Sequence, residues 1–213
     1  MKPGGRQLLG LLLGLVLAII GFLGSIITCV LPMWRVTAFI GTNIVTAQTI
    51  HEGLWMSCVV QSTGQKKCKV YDSMLALSQD LQAARALIII AILLGFFGIL
   101  FAVVGYRCSN CMMHQRQNSN VTIASGVIVI IAGVLLLIPV TWTAHAMIKD
   151  FYNPLRSASQ RRELGSSLYI GWGSAGLLFL GGGLLWSSRP RMNDTDCEVR
   201  YSNNHPALCK SYI

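Results

Sequence analysis

Four long apolar runs constrain this chain more than any other feature of its sequence. They occupy residues 8–30, 86–106, 121–144 and 167–186. As a helix, each run is long enough to cross a hydrocarbon core of about 30 Å, because an α-helix rises about 1.5 Å per residue. Backbone N–H and C=O groups must be paired inside lipid, which favours helices over loops there. The sequence therefore predicts a mainly α membrane protein with four transmembrane helices.

The composition agrees with this prediction, since only 12% of the 213 residues are charged and the mean hydropathy is +0.56. The first run follows Lys2 and Arg6, as the apolar part of a secretory signal would. It is longer than the apolar region of such signals, so we expect it to stay as a membrane anchor.

Small residues and tryptophans within the runs predict how the helices pack and how deep they lie. Gly10, Gly14 and Ala18 recur at every fourth position, and residues 181–183 are all glycine, which predicts faces for close helix packing. Three tryptophans fall near the predicted membrane boundaries, a position typical of interfacial anchors: Trp34, Trp142 and Trp186.

The orientation of the chain depends on two cysteines. Four spans put both termini on one side, but the positive-inside rule does not choose that side, because eight basic residues would lie with the termini and nine opposite them. Cys58 and Cys68 lie between the first two runs, and disulfides persist outside the cytosol. If they pair rather than stay as two free buried thiols, both termini are cytosolic. The predicted segments outside the spans are then a cytosolic N-terminus (1–7), a first outer loop (31–85), an inner loop (107–120), a second outer loop (145–166) and a cytosolic tail (187–213).

The first outer loop has the pattern of a small sheet. β-Branched residues over 36–50 predict two short strands joined by a tight turn, and residues 55–60 and 68–70 predict two more. Pairing Cys58 with Cys68 leaves Ser62, Thr63 and Gly64 as a three-residue turn, in which glycine supplies the left-handed residue. A disulfide closing so short a loop contributes about 3 kcal/mol.

The motifs of this loop resemble those of a known family. Trp34, the sequence GLW at 53–55, Cys58 and Cys68 match the W…GLW…C…C signature of claudins. AARAL, which contains Arg85, and DFYNPL in the second outer loop are also similar to claudin segments. Residue by residue, the resemblance assigns five further family positions: Trp34, Gly53, Leu54 and Trp55 from the signature, and Arg85 from AARAL.

The resemblance implies a left-handed four-helix bundle with a small extracellular five-stranded antiparallel sheet, whose fifth strand comes from the second loop. It also implies a plasma-membrane protein of tight junctions, which polymerises with itself and other claudins in cis and trans and controls paracellular permeability. Related tetraspan proteins share the GLW…C…C motif. An auxiliary subunit of an ion channel or a myelin-type adhesion protein therefore stays the alternative.

Lys66, Lys67 and Lys69 give the hairpin a positive charge, and Gln61 is neutral where cation-selective claudins can be acidic. In a narrow path, fixed charges of one sign enrich the opposite ion, so this pattern predicts a cation barrier or an anion-favouring pore. A solvated basic face without any pore is the alternative, because salt screens exposed charges.

The resemblance also implies residues for assembly. Met74, on a short surface helix capped by Ser73, would pack against Phe151, Tyr152 and Leu164 of a neighbour. The alternative is that Met74 dips into the lipid headgroups. Residues Asn153, Pro154 and Leu155 would engage trans partners and, in some claudins, a clostridial enterotoxin. Arg156 stands where toxin-binding claudins usually have an apolar residue, which argues against that ligand.

On the inner side, Cys108 and Cys111 are palmitoylation candidates, because a metal site or a redox motif would need partners that the sequence lacks. The end of the tail, Ser211-Tyr212-Ile213, suits PDZ domains, which by resemblance are zonula occludens scaffolds. The expected partners therefore include these scaffolds and membrane lipid, but no nucleic acid.

Nothing in the sequence predicts an enzyme, a metal site or a cofactor, because no nucleophile, base and orienting group fall together. No charged residue lies mid-span, so we expect ions to pass between cells and not through the bundle. His51 stands where claudins often have an aromatic residue. Either it makes the outer sheet sensitive to pH or it is an ordinary surface histidine.

Overall fold

A computed structural model describes residues 3–39, 48–61, 63–71, 79–109, 115–151 and 160–188. Within these ranges lie four helices and five strands. The helices are α1 (Pro3–Val30), α2 (Gln79–Ser109), α3 (Gln115–Phe151) and α4 (Ser166–Ser187). The strands are β1 (Arg35–Phe39), β2 (Gln48–Glu52), β3 (Met56–Gln61), β4 (Lys66–Val70) and β5 (Gln160–Leu164).

All four helices are long and apolar enough to cross a membrane, over Leu9–Val30, Gln79–Gly105, Val121–Lys149 and Ser166–Ser187. The predicted spans are therefore confirmed as helices, and all four helices continue beyond them, α2 and α3 the furthest. Helix α2 starts at Gln79, and Asp80 in its first turn interacts favourably with the positive end of the helix dipole. Helix α3 runs on past residue 144 to Phe151, so the bundle reaches further toward the sheet than the apolar runs indicate.

Three consecutive glycines show how closely α4 packs. A Cβ on Gly181 would lie 2.8 Å from the backbone nitrogen of Ala18 in α1, and one on Gly182 would lie 2.8 Å from the carbonyl oxygen of Gly126 in α3. Gly183 has nothing within 4 Å of such a Cβ. Successive helical residues point about 100° apart, so two of these glycines allow close contact with different helices. The predicted packing face that includes Gly14 and Ala18 is thus confirmed against α4.

The apolar side chains divide between the core and the outer surface of the bundle. A buried cluster runs from the helices into the sheet; its members include Ala18, Ile88, Leu136, Ala175 and Trp34. Large apolar side chains on the opposite helix faces are about half exposed, among them Leu13, Phe97 and Leu180. An apolar outer surface of this extent matches a bundle whose surrounding solvent is lipid.

The five strands form one antiparallel sheet in the order β4-β3-β2-β1-β5, at the end of the bundle where α1 ends and α4 begins. Cys58 pairs in register with Cys68, and Val60 with Lys66, as the cysteine spacing predicts. Gly64 has a φ of 79°, the left-handed conformation expected at this turn. Strand β5 comes from the second loop and pairs with β1, which confirms the fifth strand. The tight turn predicted between β1 and β2 falls in residues 40–47, outside the described residues.

The glycine contacts in α4 lead to a first prediction. Gly181→Ala should lower the free energy of unfolding by about 1–3 kcal/mol, because the new methyl group meets backbone atoms that cannot move aside easily. Gly183→Ala is the matched control and should leave the stability unchanged or slightly raise it, since alanine favours helix and this site is open. Thermal unfolding in detergent measures both. Equal midpoints for the two variants would contradict the packing described here.

Candidate functional site: the sheet and its anchor

Trp34 connects the end of α1 to the start of the sheet. Its Nε1–H donates to the carbonyl oxygen of Thr28 at 2.8 Å, and its backbone N–H donates to the carbonyl oxygen of Glu52 at 3.0 Å. Thr28 lies in the last turn of α1, where carbonyl groups lack helical partners. The indole therefore satisfies a helix end and fixes β1 against β2 at the same time.

The structure corrects the prediction that Trp34 is an interfacial anchor. Its side chain is 0% exposed, whereas Trp142 is 62% exposed and suits the predicted interfacial position. The sequence places both near a membrane boundary, but Trp34 lies between the end of α1 and the start of β1, where its ring is enclosed in the buried core. A buried indole needs a hydrogen-bond acceptor, and Thr28 provides it.

The GLW segment lies directly against this junction. Gly53 packs against the backbone of Pro32, where a side chain would collide, and Leu54 is fully buried. Trp55 is partly exposed, and its Nε1–H donates to the sulfur of Cys29 at 3.5 Å. The three residues therefore differ in role: one permits close approach, one fills the core and one links the sheet to α1.

Two arginines hold the sheet to α2. The guanidinium of Arg85 donates to the carbonyl oxygen of Leu54 and lies 4.5 Å from the centroid of the Trp55 ring, in cation–π geometry. Arg35, whose side chain is only 9% exposed, forms an ion pair of 3.8 Å with Asp80. Both contacts join a strand or turn of the sheet to the first two turns of α2.

Helix α4 is joined to the same junction through its backbone. The N–H of Gly165 donates to the carbonyl oxygen of Trp34 at 3.3 Å, and the N–H of Ser167 donates to the carbonyl oxygen of Met33 at 3.2 Å. Gly165 lies so close to the Met33 carbonyl that it leaves no room for a side chain. The segment around Trp34 thus contacts the end of α1, the sheet and the start of α4.

Tyr71 follows β4 and packs against the same core. Burial is the main cause that raises the pKa of its phenol above the ordinary value, and the negative charge of Glu52 raises that pKa further. Smaller opposing effects come from a hydrogen bond with Ser57 and from the charges of Arg35 and Arg85. The phenol therefore stays neutral at physiological pH and acts as a hydrogen-bonding group where the sheet meets the bundle.

The disulfide and the lysines lie at the far edge of the sheet. Cys58 and Cys68 are joined, with 4.0 Å between their Cα atoms, so the predicted pairing is present. All five residues of the edge strand β4 are exposed. Side chains alternate between the two faces of a strand, so Lys67 and Lys69 share one face and Lys66 lies on the other with Cys68.

No acidic residue faces these lysines from the neighbouring strand. Their partners in register on β3 are all uncharged: Val60 opposite Lys66, Val59 opposite Lys67, and Ser57 opposite Lys69. Gln61, the fourth predicted selectivity residue, ends β3 and pairs with Gln48 on β2. The structure thus gathers the predicted charge residues on one disulfide-bonded hairpin.

The predicted assembly residues are only partly described. Leu164 ends β5, pairs with Arg35 and packs against the buried core, while Phe151 is the last residue of α3 and Cys108 lies near the end of α2. The other predicted sites lie outside the described residues: Met74, Tyr152, Asn153, Pro154, Leu155, Arg156, Cys111, Ser211, Tyr212 and Ile213.

Sequence reasoning missed several anchoring residues. The ion pair of Arg35 with Asp80 and the contact of Tyr71 with the core join positions that are distant in sequence. Thr28 looks like an ordinary residue of an apolar run. Of these, only Asp80 had a local signal, since an acidic residue in a first helical turn is favourable.

Comparison with known proteins agrees with this architecture. The model of the family described as PMP-22/EMP/MP20/Claudin matches residues 8–185. Claudin-4 of Bos taurus is 56% identical over 94% of this chain and 96% of its own length. The chain belongs to the claudin family. Claudin-6 of Homo sapiens is 54% identical over 99% of the chain and 95% of its own length, and human Claudin-3 is 58% identical over 83% and 80%. This claudin is a multi-pass membrane protein of tight junctions.

The Trp34 contact leads to a second prediction. Trp34→Phe removes the donor to Thr28 and some buried volume, and should lower the free energy of unfolding by about 1–3 kcal/mol. Trp142→Phe is the matched control at an exposed position and should change it by less than about 0.5 kcal/mol. Thermal unfolding in detergent compares the two. A Trp34→Phe midpoint as high as that of the control would show that the indole does not hold the junction together.

Proposed function

We propose that this claudin forms a paracellular barrier to cations, or a path that favours anions, and that the hairpin β3–β4 supplies the charge. The observation that supports the proposal is the composition of residues 56–70, which include three lysines and no acidic residue. The role is structural and involves no catalysis. The lysines act only through the electrostatic potential of a confined aqueous path between two cells.

The arrangement of the lysines supports this role. Lys67 and Lys69 project from the same face, two residues apart and therefore about 7 Å from one another along the strand. This separation is below the Debye length of about 8 Å at physiological salt, so their potentials overlap. In a narrow path with low-dielectric walls, such overlapping fields repel sodium and raise the local chloride concentration.

The orientation is part of the proposal. The disulfide between Cys58 and Cys68 would persist on the oxidising, extracellular side, which puts both termini in the cytosol. Cytosolic termini bring Ser211-Tyr212-Ile213 within reach of zonula occludens-type PDZ scaffolds, and Cys108 and Cys111 within reach of palmitoylating enzymes. Contacts of Met74 with Phe151 and Tyr152 of a neighbouring claudin, and trans contacts through residues 153–155, complete the proposed assembly.

Charge reversal tests the selectivity. In an epithelial monolayer, Lys69→Glu should raise the permeability ratio of sodium to chloride roughly threefold or more, because it changes the local charge by two units. Lys149→Glu makes the same change at an exposed site near the end of α3, outside the hairpin β3–β4, and should have a much smaller effect. Dilution potentials measure the ratio for both. Equal ratios for the two variants would remove Lys69 from the conducting path.

Labelling of intact cells tests the orientation. A membrane-impermeant amine reagent should modify Lys66, Lys67 and Lys69, which are exposed on β4, but not Lys210 in the tail. Peptide mapping before and after cell permeabilisation distinguishes the two groups. Modification of Lys210 in intact cells, with the β4 lysines protected, would reverse the proposed topology.

A further inference from the structure

Strand β4 forms one edge of the sheet. Within the described residues it pairs with β3 on one side, and no strand lies on its other side. All five of its residues are exposed. An edge strand presents unpaired backbone N–H and C=O groups, to which another extended chain can add as a further strand.

The hydrogen bonds at the two ends of the hairpin show which backbone groups of β4 face outward. The N–H of Gln61 donates to the carbonyl oxygen of Gln65 at 3.1 Å, and the N–H of Tyr71 donates to the carbonyl oxygen of Trp55 at 3.4 Å. In an antiparallel ladder, residue pairs that exchange hydrogen bonds alternate with pairs that do not. The odd-numbered residues of β4 therefore direct their backbone groups toward β3.

The even-numbered residues of β4 direct theirs toward the open edge. The disulfide agrees with this assignment, because the Cα atoms of Cys58 and Cys68 are 4.0 Å apart and the pairs without hydrogen bonds are the closely spaced ones. An added strand would thus find an N–H and a C=O at every second residue: Lys66, Cys68 and Val70.

The lysines determine the chemistry of the strand that fits this edge. Lys67 and Lys69 share one face of β4. Side chains directly opposite each other on neighbouring strands interact, and opposite charges stabilise the pair whereas like charges destabilise it. A segment with a carboxylate at every second position would place one carboxylate opposite each of these two lysines.

A second copy of the chain does not offer this pattern. If two β4 strands paired antiparallel about Cys68, Lys67 of each copy would lie opposite Lys69 of the other, which is unfavourable. The other edge strand, β5, has the sequence QRREL and a net positive charge. The segments of the two outer loops that lie outside the described residues hold one acidic residue between them, Asp72. A segment with alternating carboxylates must therefore come from another protein.

We propose that the β4 edge binds an extended acidic segment of another protein by strand addition, with alternate carboxylates facing Lys67 and Lys69. The proposal goes beyond the proposed selectivity and does not depend on it, because the edge recognises the segment whether or not the lysines line a conducting path. A bound acidic strand would also neutralise the positive charge of the hairpin.

Peptide binding to the purified full-length chain in detergent tests the proposal. The probe is a fluorescent peptide of alternating threonine and glutamate, and its anisotropy reports binding. The wild-type chain should bind it saturably. Lys67→Glu should weaken binding about tenfold, since a like-charge pair replaces an opposite one. Lys66→Glu changes the other face of the same strand and should weaken it by no more than about twofold, and Lys149→Glu on α3 should leave it unchanged.

N-methylated peptides distinguish strand addition from a simple attraction of charges. When the glutamates face Lys67 and Lys69, the threonines lie opposite the even-numbered residues of β4, and their N–H groups point toward it. Methylation of the threonine nitrogens should therefore abolish binding. Methylation of the glutamate nitrogens, which point away from β4, should preserve it.

The proposal is overturned if no saturable binding occurs below about 1 mM, if Lys67→Glu and Lys66→Glu weaken binding equally, or if the two methylated peptides bind alike. An affinity that falls as the concentration of the chain rises would show that a second copy occupies the edge, and would overturn it too. Failure of the proposed function looks different: Lys69→Glu would leave the sodium-to-chloride ratio unchanged, whatever the peptides do.

Discussion

The hydrogen bond from the Trp34 indole to the Thr28 carbonyl is the contact on which the rest of the structure depends. It closes the last turn of α1 and places β1 where it can pair with β2 on one side and β5 on the other. The backbone of the same segment accepts hydrogen bonds from the start of α4. One buried aromatic residue thus fixes the position of the sheet relative to two helices, and the Arg35–Asp80 ion pair and the Arg85 contacts add a third.

The register of the sheet determines on which face each lysine of β4 lies. The side-chain period of a strand is two, so a slip of one residue between β3 and β4 would move every lysine to the other face. The bond between Cys58 and Cys68 prevents such a slip at the edge strand, which has a neighbour on one side only. The disulfide therefore fixes the direction in which Lys67 and Lys69 project, in addition to any effect on stability.

Much of this arrangement follows from sequence, because it depends on local patterns. The apolar runs predict the helices, and the cysteine spacing with Gly64 predicts the hairpin and its register. The rest depends on contacts between distant positions. Nothing near Trp34 shows that its ring is buried and not at the membrane interface, since packing against residues distant in the sequence decides this. Nothing near Arg35 indicates that Asp80 is its partner, or that Leu164 returns from the second loop to lie beside it.

The lysines lie on the edge strand β4. The strand that carries the charge is therefore separate from the strands that hold the sheet against the helices. Strands β1 and β5 and the GLW segment make the contacts with the helices, whereas β4 pairs with its neighbour β3 and is exposed along its whole length. Substitutions of the exposed β4 lysines therefore have little effect on folding, whereas Cys68 on the same strand is part of the disulfide. Under the proposed function, drift at these few positions would change ionic preference and leave the scaffold intact.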